Sequence, residues 1–276
     1  MSGITQLLRP KNCLMAVLSI VIVALVACRF EIYAVPLAEV LAASLVVFMF
    51  TGAGNTLNDY LDRDIDRLNH PERPIPAGRV KPRTATVLSG VLFSVSVILG
   101  LWLSLYCMLI ILLNLAIMLA YEFRTKSLGL SGNIMISWLT ASLFLFGGFA
   151  VLDSFPSIME PVLFMFFLSF FATLGREIAK DIQDMAGDVG RKTLPMRIGA
   201  AGAGKVASMA FLFGIGLSPL PYFLGIFGFF YLVAVLLADA IFIYGAWVIS
   251  RNPGKTSESA KLAMFVALLA FLVGVI

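Results

Sequence analysis

The sequence predicts an all-α membrane protein built from nine transmembrane helices. The composition is 60% hydrophobic and only 13% charged, the mean hydropathy is +0.98, and apolar runs recur along all 276 residues. Soluble domains carry about 25% charged residues, so this composition excludes an ordinary soluble enzyme. A membrane β-barrel would require strands of alternating polarity, and no such pattern competes with the apolar runs.

The apolar runs have the length that a bilayer requires, about 20 residues for each span. In order, they predict spans at 12–29, 37–57, 84–103, 105–122, 132–151, 160–178, 201–217, 222–248 and 260–276. The first run lacks a small-residue cleavage site, which indicates a retained helix and not a signal peptide. No soluble segment separates the spans, so residues 1–276 are expected to form a single domain.

The basic residues predict the orientation of the chain in the membrane. With nine spans, the N-terminus and every second loop share one side, and 19 of the 20 lysines and arginines lie there. Only Arg29 lies on the other side. By the positive-inside rule, the crowded side is cytoplasmic. We therefore expect a multi-pass cell-membrane protein with a cytoplasmic N-terminus and the C-terminus on the opposite side. The net charge of +4 reflects this topology and does not indicate nucleic-acid binding.

Two acidic clusters follow apolar runs on the predicted cytoplasmic side. In the first cluster, Asn58, Asp62 and Asp66 step by four residues. Spacings of three or four place side chains on one face of a helix, where stacked carboxylates repel unless a cation lies among them. Mg²⁺ prefers oxygen ligands and commonly joins one or two carboxylates to phosphates, so the clusters predict a magnesium-diphosphate site. The second cluster has steps of four, three and four residues, in Glu177, Asp181, Asp184 and Asp188.

Basic and polar side chains on the same side are candidates for binding phosphate oxygens. Arg73 and Arg79 lie in a loop that three prolines stiffen, which suits a fixed guanidinium fork. Basic residues beside a span are also ordinary topology signals, and both interpretations stay open for the N-terminal and inter-helix groups. The other candidates are Arg9, Lys11, Tyr121, Lys126, Asn133, Arg191 and Lys192.

These motifs resemble those of the UbiA superfamily of intramembrane prenyltransferases. The resemblance rests on N-D-x-x-D-x-x-x-D at 58–66, R-P-x-P-x-G at 73–78 and D-x-x-D-x-x-x-D at 181–188. It implies nine helices around a central cavity that opens laterally to the bilayer. It also implies Mg²⁺ ions on an allylic diphosphate, with Arg73, Lys126 and Arg191 neutralising the remaining oxygens. The implied metal ligands are Asn58, Asp62, Asp66, Asp181, Asp184 and Asp188.

Within the superfamily, the segments 9–12 and 176–184 look most like those of the archaeal digeranylgeranylglyceryl phosphate synthases. This likeness implies transfer of a geranylgeranyl group from geranylgeranyl diphosphate to geranylgeranylglyceryl phosphate, which forms the second ether bond of an archaeal membrane lipid. A lipidic phosphate acceptor also fits a surplus of cations, namely Arg9, Lys11, Arg79, Lys126 and Lys192.

Two alternatives remain at the level of the sequence. The nearer alternative is prenylation of an aromatic acceptor of the 4-hydroxybenzoate or naphthoate type. The remote alternative is a divalent-cation transporter. Transport favours polar groups along a path across the membrane, whereas the clusters here are confined to one side.

Overall fold

The computed structural model describes residues 2–29, 31–125, 128–185 and 192–275, whose regular structure is entirely helical. Within this part of the chain, nine helices are long and apolar enough to cross a membrane, which confirms the predicted number of spans. In chain order the helices are α1 (Gly3–Leu8), α2 (Pro10–Ala27), α3 (Leu37–Leu61), α4 (Arg63–Asn69), α5 (Pro82–Leu103), α6 (Leu105–Ala120), α7 (Leu130–Ala150), α8 (Met159–Asp184), α9 (Leu194–Leu217), α10 (Leu220–Phe223), α11 (Phe229–Val248) and α12 (Pro253–Val273). A π-helical turn, Tyr121–Thr125, continues α6.

The membrane-crossing helices pack in chain order as a ring. The succession runs from α2 through α3, α5, α6, α7, α8, α9 and α11 to α12, which closes onto α2. Further contacts join α2 to α7 and α8 to α12 across the ring. Their shared interior forms the main apolar core, in which Ile20, Val46, Phe146, Met165 and Phe271 are buried.

The helices α3 and α8 are longer than the membrane requires. With 25 and 26 residues, they extend about 38 and 39 Å, against about 30 Å for the hydrocarbon core. Their last turns therefore carry polar side chains beyond the apolar layer. Contacts of Arg9 with Asp59 and of Asn133 with Asp181 place the starts of α2 and α7 at the same end of the bundle. We call this the motif end.

Three spans begin seven residues away from their predicted starts because local backbone chemistry overrides hydropathy. The ninth span begins at Pro253 and not at 260, since Asn252 Oδ1 accepts a hydrogen bond from the Lys255 N–H at 3.0 Å and caps the helix. The eighth begins at Phe229 and not at 222, since the chain turns at Gly225 with φ 73°. The seventh begins at Leu194, and a bend at Gly199 separates its first turn from the predicted 201–217.

The packing of α8 against α9 can be tested at Gly175, where the two helices approach closely. A Cβ atom on residue 175 would lie 2.5 Å from Cε1 of the buried Phe211 ring. We therefore expect Gly175→Ala to lower the free energy of unfolding by about 1–3 kcal/mol, because a rigid aromatic ring would have to move. Thermal unfolding in detergent measures the change. The matched control is Gly216→Ala on α9, where nothing lies within 4 Å of the added Cβ. Equal loss of stability in both variants would contradict the close contact.

Candidate active site

A cavity of about 740 Å³ occupies the centre of the ring. Residues of α2, α3, α6, α7, α8, α9, α11 and α12 line it. Away from the motif end its wall is mainly apolar and aromatic, with Phe50, Phe144, Phe211, Phe242 and Phe271 among the lining residues. Such a wall excludes water and suits an isoprenoid chain.

The wall of the cavity becomes polar and charged towards the motif end. The regions around the start of α2, the end of α3, the π-helical turn and the end of α8 contribute side chains there, and both cations and acids are present. The polar lining residues in this region are Arg9, Asn12, Asn55, Asn58, Tyr121, Glu122, Arg176, Glu177 and Lys180. The combination of an apolar interior and a charged rim is suited to a molecule with a long hydrocarbon tail and an anionic head group.

The first acidic cluster keeps its predicted spacing across the junction of α3 and α4. The Asp62 N–H donates to the Asn58 carbonyl at 2.9 Å, and the Asp66 N–H donates to the Asp62 carbonyl at 2.8 Å. Asn58 Nδ2 also donates to Glu122 Oε1 at 2.9 Å, which ties the end of α3 to the π-helical turn after α6. Of these residues, Asn58 lines the cavity. Asp62 is half-buried and Asp66 is buried.

Asp59 is a buried carboxylate that the spacing argument missed. Its side chain forms an ion pair with Arg9, and Arg73 Nη1 lies 3.6 Å from its Oδ1. Arg73 Nη1 also donates to Asp66 Oδ2 at 2.7 Å. These four side chains form a continuous alternation of charge that we call the Arg–Asp network. Asp59 and Asp66 are only 3% and 4% exposed, so each carboxylate depends on an arginine for its charge balance.

The backbone positions both arginines of this network. Arg9 lies between α1 and α2 with φ 50° and ψ 69°, a left-handed conformation that is costly for a residue with a side chain. Arg73 precedes a turn in which the Arg79 N–H donates to the Pro74 carbonyl at 2.9 Å. The proline-rich loop therefore holds Arg73 against the first acidic cluster, whereas Arg79 is exposed and donates to the Glu72 carbonyl. Binding of phosphate by either arginine stays a prediction.

The second acidic cluster lies on the last turns of α8. Asn133 Nδ2, at the start of α7, donates to Asp181 Oδ2 at 2.9 Å. The Asn133 Oδ1 atom is buried and has no hydrogen-bond partner. Asp184 is exposed at the end of α8. Glu177 forms an ion pair with Arg176, and both side chains line the cavity.

Other candidate residues are distributed differently. Tyr121 lines the cavity, whereas Lys11 and Lys192 are exposed and are not among the described lining residues. The Lys192 carbonyl accepts a hydrogen bond from Arg197 Nε at 3.1 Å. Lys126, Asp188 and Arg191 lie outside the described residues, so their predicted roles stay predictions.

The donor chemistry of both clusters fits a hard divalent cation. Every candidate ligand is a carboxylate or carboxamide oxygen, and the Asn133 Oδ1 atom adds a buried acceptor that is still unpaired. In the described part of the chain, no three acidic, histidine or cysteine side chains gather into a complete metal site. Mg²⁺ keeps several waters and takes only one or two carboxylates when phosphates complete its shell.

Two polar groups deeper in the cavity have structural partners. Asp239 Oδ2 accepts a hydrogen bond from Ser218 Oγ at 2.5 Å. Asn114 Nδ2 donates to Ser142 Oγ at 2.9 Å, and Asn114 Oδ1 accepts from Trp138 Nε1 at 3.0 Å. Their positions within apolar spans are therefore explained by hydrogen bonds between helices.

Comparison with known proteins gives this arrangement a family. A sequence model of the UbiA prenyltransferase family matches residues 11–269. Digeranylgeranylglyceryl phosphate synthase from Methanosarcina mazei is 41% identical over 98% of this chain and 97% of its own length. The protein of the same name from Methanothermobacter thermautotrophicus is 38% identical over 99% and 96%, respectively. The chain therefore belongs to the UbiA prenyltransferase family, which confirms the resemblance in its motifs.

Solved structures agree with this assignment. A structure of digeranylgeranylglyceryl phosphate synthase in membranes matches with a TM-score of 0.86 and 34% identity, over 99% of this chain and 97% of that one. A UbiA homolog from Archaeoglobus fulgidus, bound to GPP and Mg²⁺, has the same fold with a TM-score of 0.75 and 20% identity, over 99% and 98%.

Removal of Arg73, which belongs to the Arg–Asp network, should destabilise the protein more than removal of an exposed arginine outside the network. Arg73→Met should lower the free energy of unfolding by about 1–3 kcal/mol, because Asp66 would lose its paired cation and Asp59 one of two. Thermal unfolding in detergent measures the change. The control is Arg67→Met, which breaks an exposed ion pair with Asp64 at 3.2 Å and should cost at most about 0.5 kcal/mol. A control variant as unstable as Arg73→Met would contradict the structural role of the network.

Proposed function

We propose that this protein transfers a geranylgeranyl group from geranylgeranyl diphosphate to geranylgeranylglyceryl phosphate and so forms a second ether bond. The observation that carries the proposal is that one residue of each acidic cluster, Asn58 and Glu177, lines the charged rim of the same apolar cavity. The relatives from Methanosarcina mazei and Methanothermobacter thermautotrophicus, which carry the name of this enzyme, support the same acceptor. The reaction would occupy one domain spanning residues 1–276.

The distribution of lysines and arginines supports an orientation of the protein in the membrane. The positive-inside rule favours a cytoplasmic motif end, with the N-terminus on that side and the C-terminus on the opposite side of the cell membrane. Both substrates have isoprenoid tails that partition into lipid, so a lateral opening of the cavity to the bilayer would admit them without exposing the tails to water.

Mg²⁺ is the cofactor that the candidate ligands fit. Asn58, Asp62 and Asp66 from the first cluster, with Asp181 and Asp184 from the second, offer only oxygen atoms. Asp188 would join them from outside the described residues. When bound, Mg²⁺ would neutralise charge that develops on the departing diphosphate.

The protein side chains supply the remaining electrostatic and steric requirements. Arg73 pairs with Asp66 and Asp59 and so fixes the first cluster. The remaining N–H groups of its guanidinium are proposed to donate to the diphosphate. Lys126 and Arg191 are proposed to bind oxygens that the metal leaves free. The aromatic wall would keep water away from an electron-poor allylic carbon and stabilise its charge through ring faces.

The reaction is an electrophilic alkylation. The bond between the donor C1 carbon and the diphosphate oxygen breaks, and the acceptor hydroxyl oxygen forms the new ether bond to C1. The hydroxyl proton passes either to the departing diphosphate or to a motif carboxylate. Because an alcohol is a weak nucleophile, ionisation of the donor should precede the attack, which explains why the site concentrates charge around the leaving group.

The acceptor is tested with purified protein in nanodiscs and radiolabelled geranylgeranyl diphosphate. With Mg²⁺ present, we expect label to appear in a double ether lipid when geranylgeranylglyceryl phosphate is supplied, and not in a product of 4-hydroxybenzoate. EDTA should abolish the transfer, and Mg²⁺ should restore it. Transfer to the aromatic acid alone would overturn the lipid assignment, and transfer that survives complete chelation would overturn the role of the metal.

The acidic clusters are tested by removing one carboxylate from each. Asp62→Ala and Asp184→Ala should each lower kcat/KM by about 100-fold or more, because each removes charge that holds the metal and diphosphate. The melting temperature should stay near that of the unmodified protein, since Asp62 is only half-buried and Asp184 is exposed. Asp64→Ala is the control, because Asp64 is exposed and pairs with Arg63 and Arg67. Activity near normal in either test variant would remove that residue from the proposed site.

A further inference from the structure

Three cations that belong to neither acidic motif line one wall of the cavity. Arg176 and Lys180 lie four residues apart on α8 and so share a face of that helix. Lys261 lies on α12, which packs against α8. We propose that these three side chains bind the phosphate group of the lipid acceptor, at a site separate from the one that holds the donor diphosphate. This inference rests on the proposed function and names the residues that select its acceptor.

The register of α8 and α12 brings two of these cations, Arg176 and Lys261, to one level. The side chain of Gln183 lies against Gly254, since a Cβ on residue 254 would be 3.2 Å from Gln183 Cδ. The two helices run in opposite directions from this contact at the motif end. Arg176 precedes Gln183 by seven residues and Lys261 follows Gly254 by seven, so both lie about 10 Å from the contact. Arg176 and Lys261 therefore lie at about the same depth in the membrane.

The local environment indicates that these cations serve a ligand. Lys261 lies within the membrane-crossing segment Pro253–Val273, where a charged side chain is costly and normally faces a cavity or a partner. Arg176 pairs with Glu177, yet its Nε atom is buried and has no hydrogen-bond partner. A buried donor without a partner costs free energy that an incoming anion would recover.

The charge of this wall matches a phosphate monoester. Among the described lining residues of α8 and α12, three cations face one acid, Glu177, which leaves a surplus of about two positive charges. A phosphate monoester carries about 1.5 to 2 negative charges at neutral pH. The opposite wall has no such surplus, because Arg9 pairs with Asp59 and the other charged lining residue there is Glu122.

The reaction itself requires a second anion site close to the first. The hydroxyl and the phosphate of the acceptor are attached to the same three-carbon glycerol unit, so the acceptor phosphate must bind near the reacting carbon and the diphosphate. Two such anions repel, and each needs its own counter-charge. Along α8, Arg176 and Lys180 precede Asp184 at successive four-residue steps, which places the cations next to the acidic cluster but closer to the cavity.

The test compares charged and uncharged acceptors with the purified protein. Lys261→Met should raise KM for geranylgeranylglyceryl phosphate by about 10-fold or more, the effect of losing one hydrogen bond to a charged group. It should leave KM for geranylgeranyl diphosphate unchanged, and it should leave kcat/KM for geranylgeranylglycerol, which lacks the phosphate, unchanged. The preference for the phosphorylated acceptor should therefore collapse. Lys261→Arg should retain it.

The control and second variants keep the outcome decisive. Lys255→Met removes a cation from the same helix, but Lys255 is exposed over the Tyr244 ring and should leave the preference intact. Lys180→Met should reproduce the collapse if Lys261→Met fails to fold. An equal rise in KM for the donor would assign these cations to the diphosphate and overturn the proposal, as would an unchanged preference. If the unmodified protein alkylates neither glycerol lipid, the proposed function itself fails. A lost preference is observed only in a variant of a protein that is active when unmodified, so the two failures are distinguishable.

Discussion

The Arg–Asp network is the interaction on which the candidate site depends. It joins a residue before the first membrane-crossing helix, two acidic residues around the end of α3 and one residue of the proline-rich loop. Buried carboxylates are tolerated only when cations lie beside them, so the geometry of the first cluster depends on the N-terminal segment and on the loop. The strained backbone of Arg9 is consistent with this demand, since that conformation persists only where the surroundings impose it.

The lengths of α3 and α8 explain how the protein combines an apolar cavity with a charged rim. Because α3 and α8 exceed the thickness of the hydrocarbon core, the same helices that enclose an apolar cavity also carry acidic groups to its rim. Hydrogen bonds from Asn58 to Glu122 and from Asn133 to Asp181 fix these ends against neighbouring helices. A hydrocarbon tail and an anionic head group can therefore be bound by one continuous surface whose polarity changes along its length.

The sequence predicted the features that depend on short-range periodicity. The number of spans follows from apolar length, and the four-residue steps from Asn58 to Asp66 persist in the backbone hydrogen bonds. Boundaries failed where a cap or a turn decides them, as at Asn252 and Gly225. Asp59 was missed because its partners lie far along the chain, and no local pattern marks a carboxylate that two distant arginines will bury. The role proposed for Lys261 has the same origin, since it depends on the packing of α12 against α8.

The central claim is that both acidic helix ends hold one metal-bound diphosphate. The most direct measurement is a structure of the protein with Mn²⁺ in place of Mg²⁺ and a non-hydrolysable thio-diphosphate analogue of the donor, located by anomalous scattering. The account predicts manganese between the ends of α3 and α8, with an oxygen ligand from each acidic cluster and the isoprenoid tail in the central cavity. Manganese bound to only one cluster, or a diphosphate bound away from both, would contradict it.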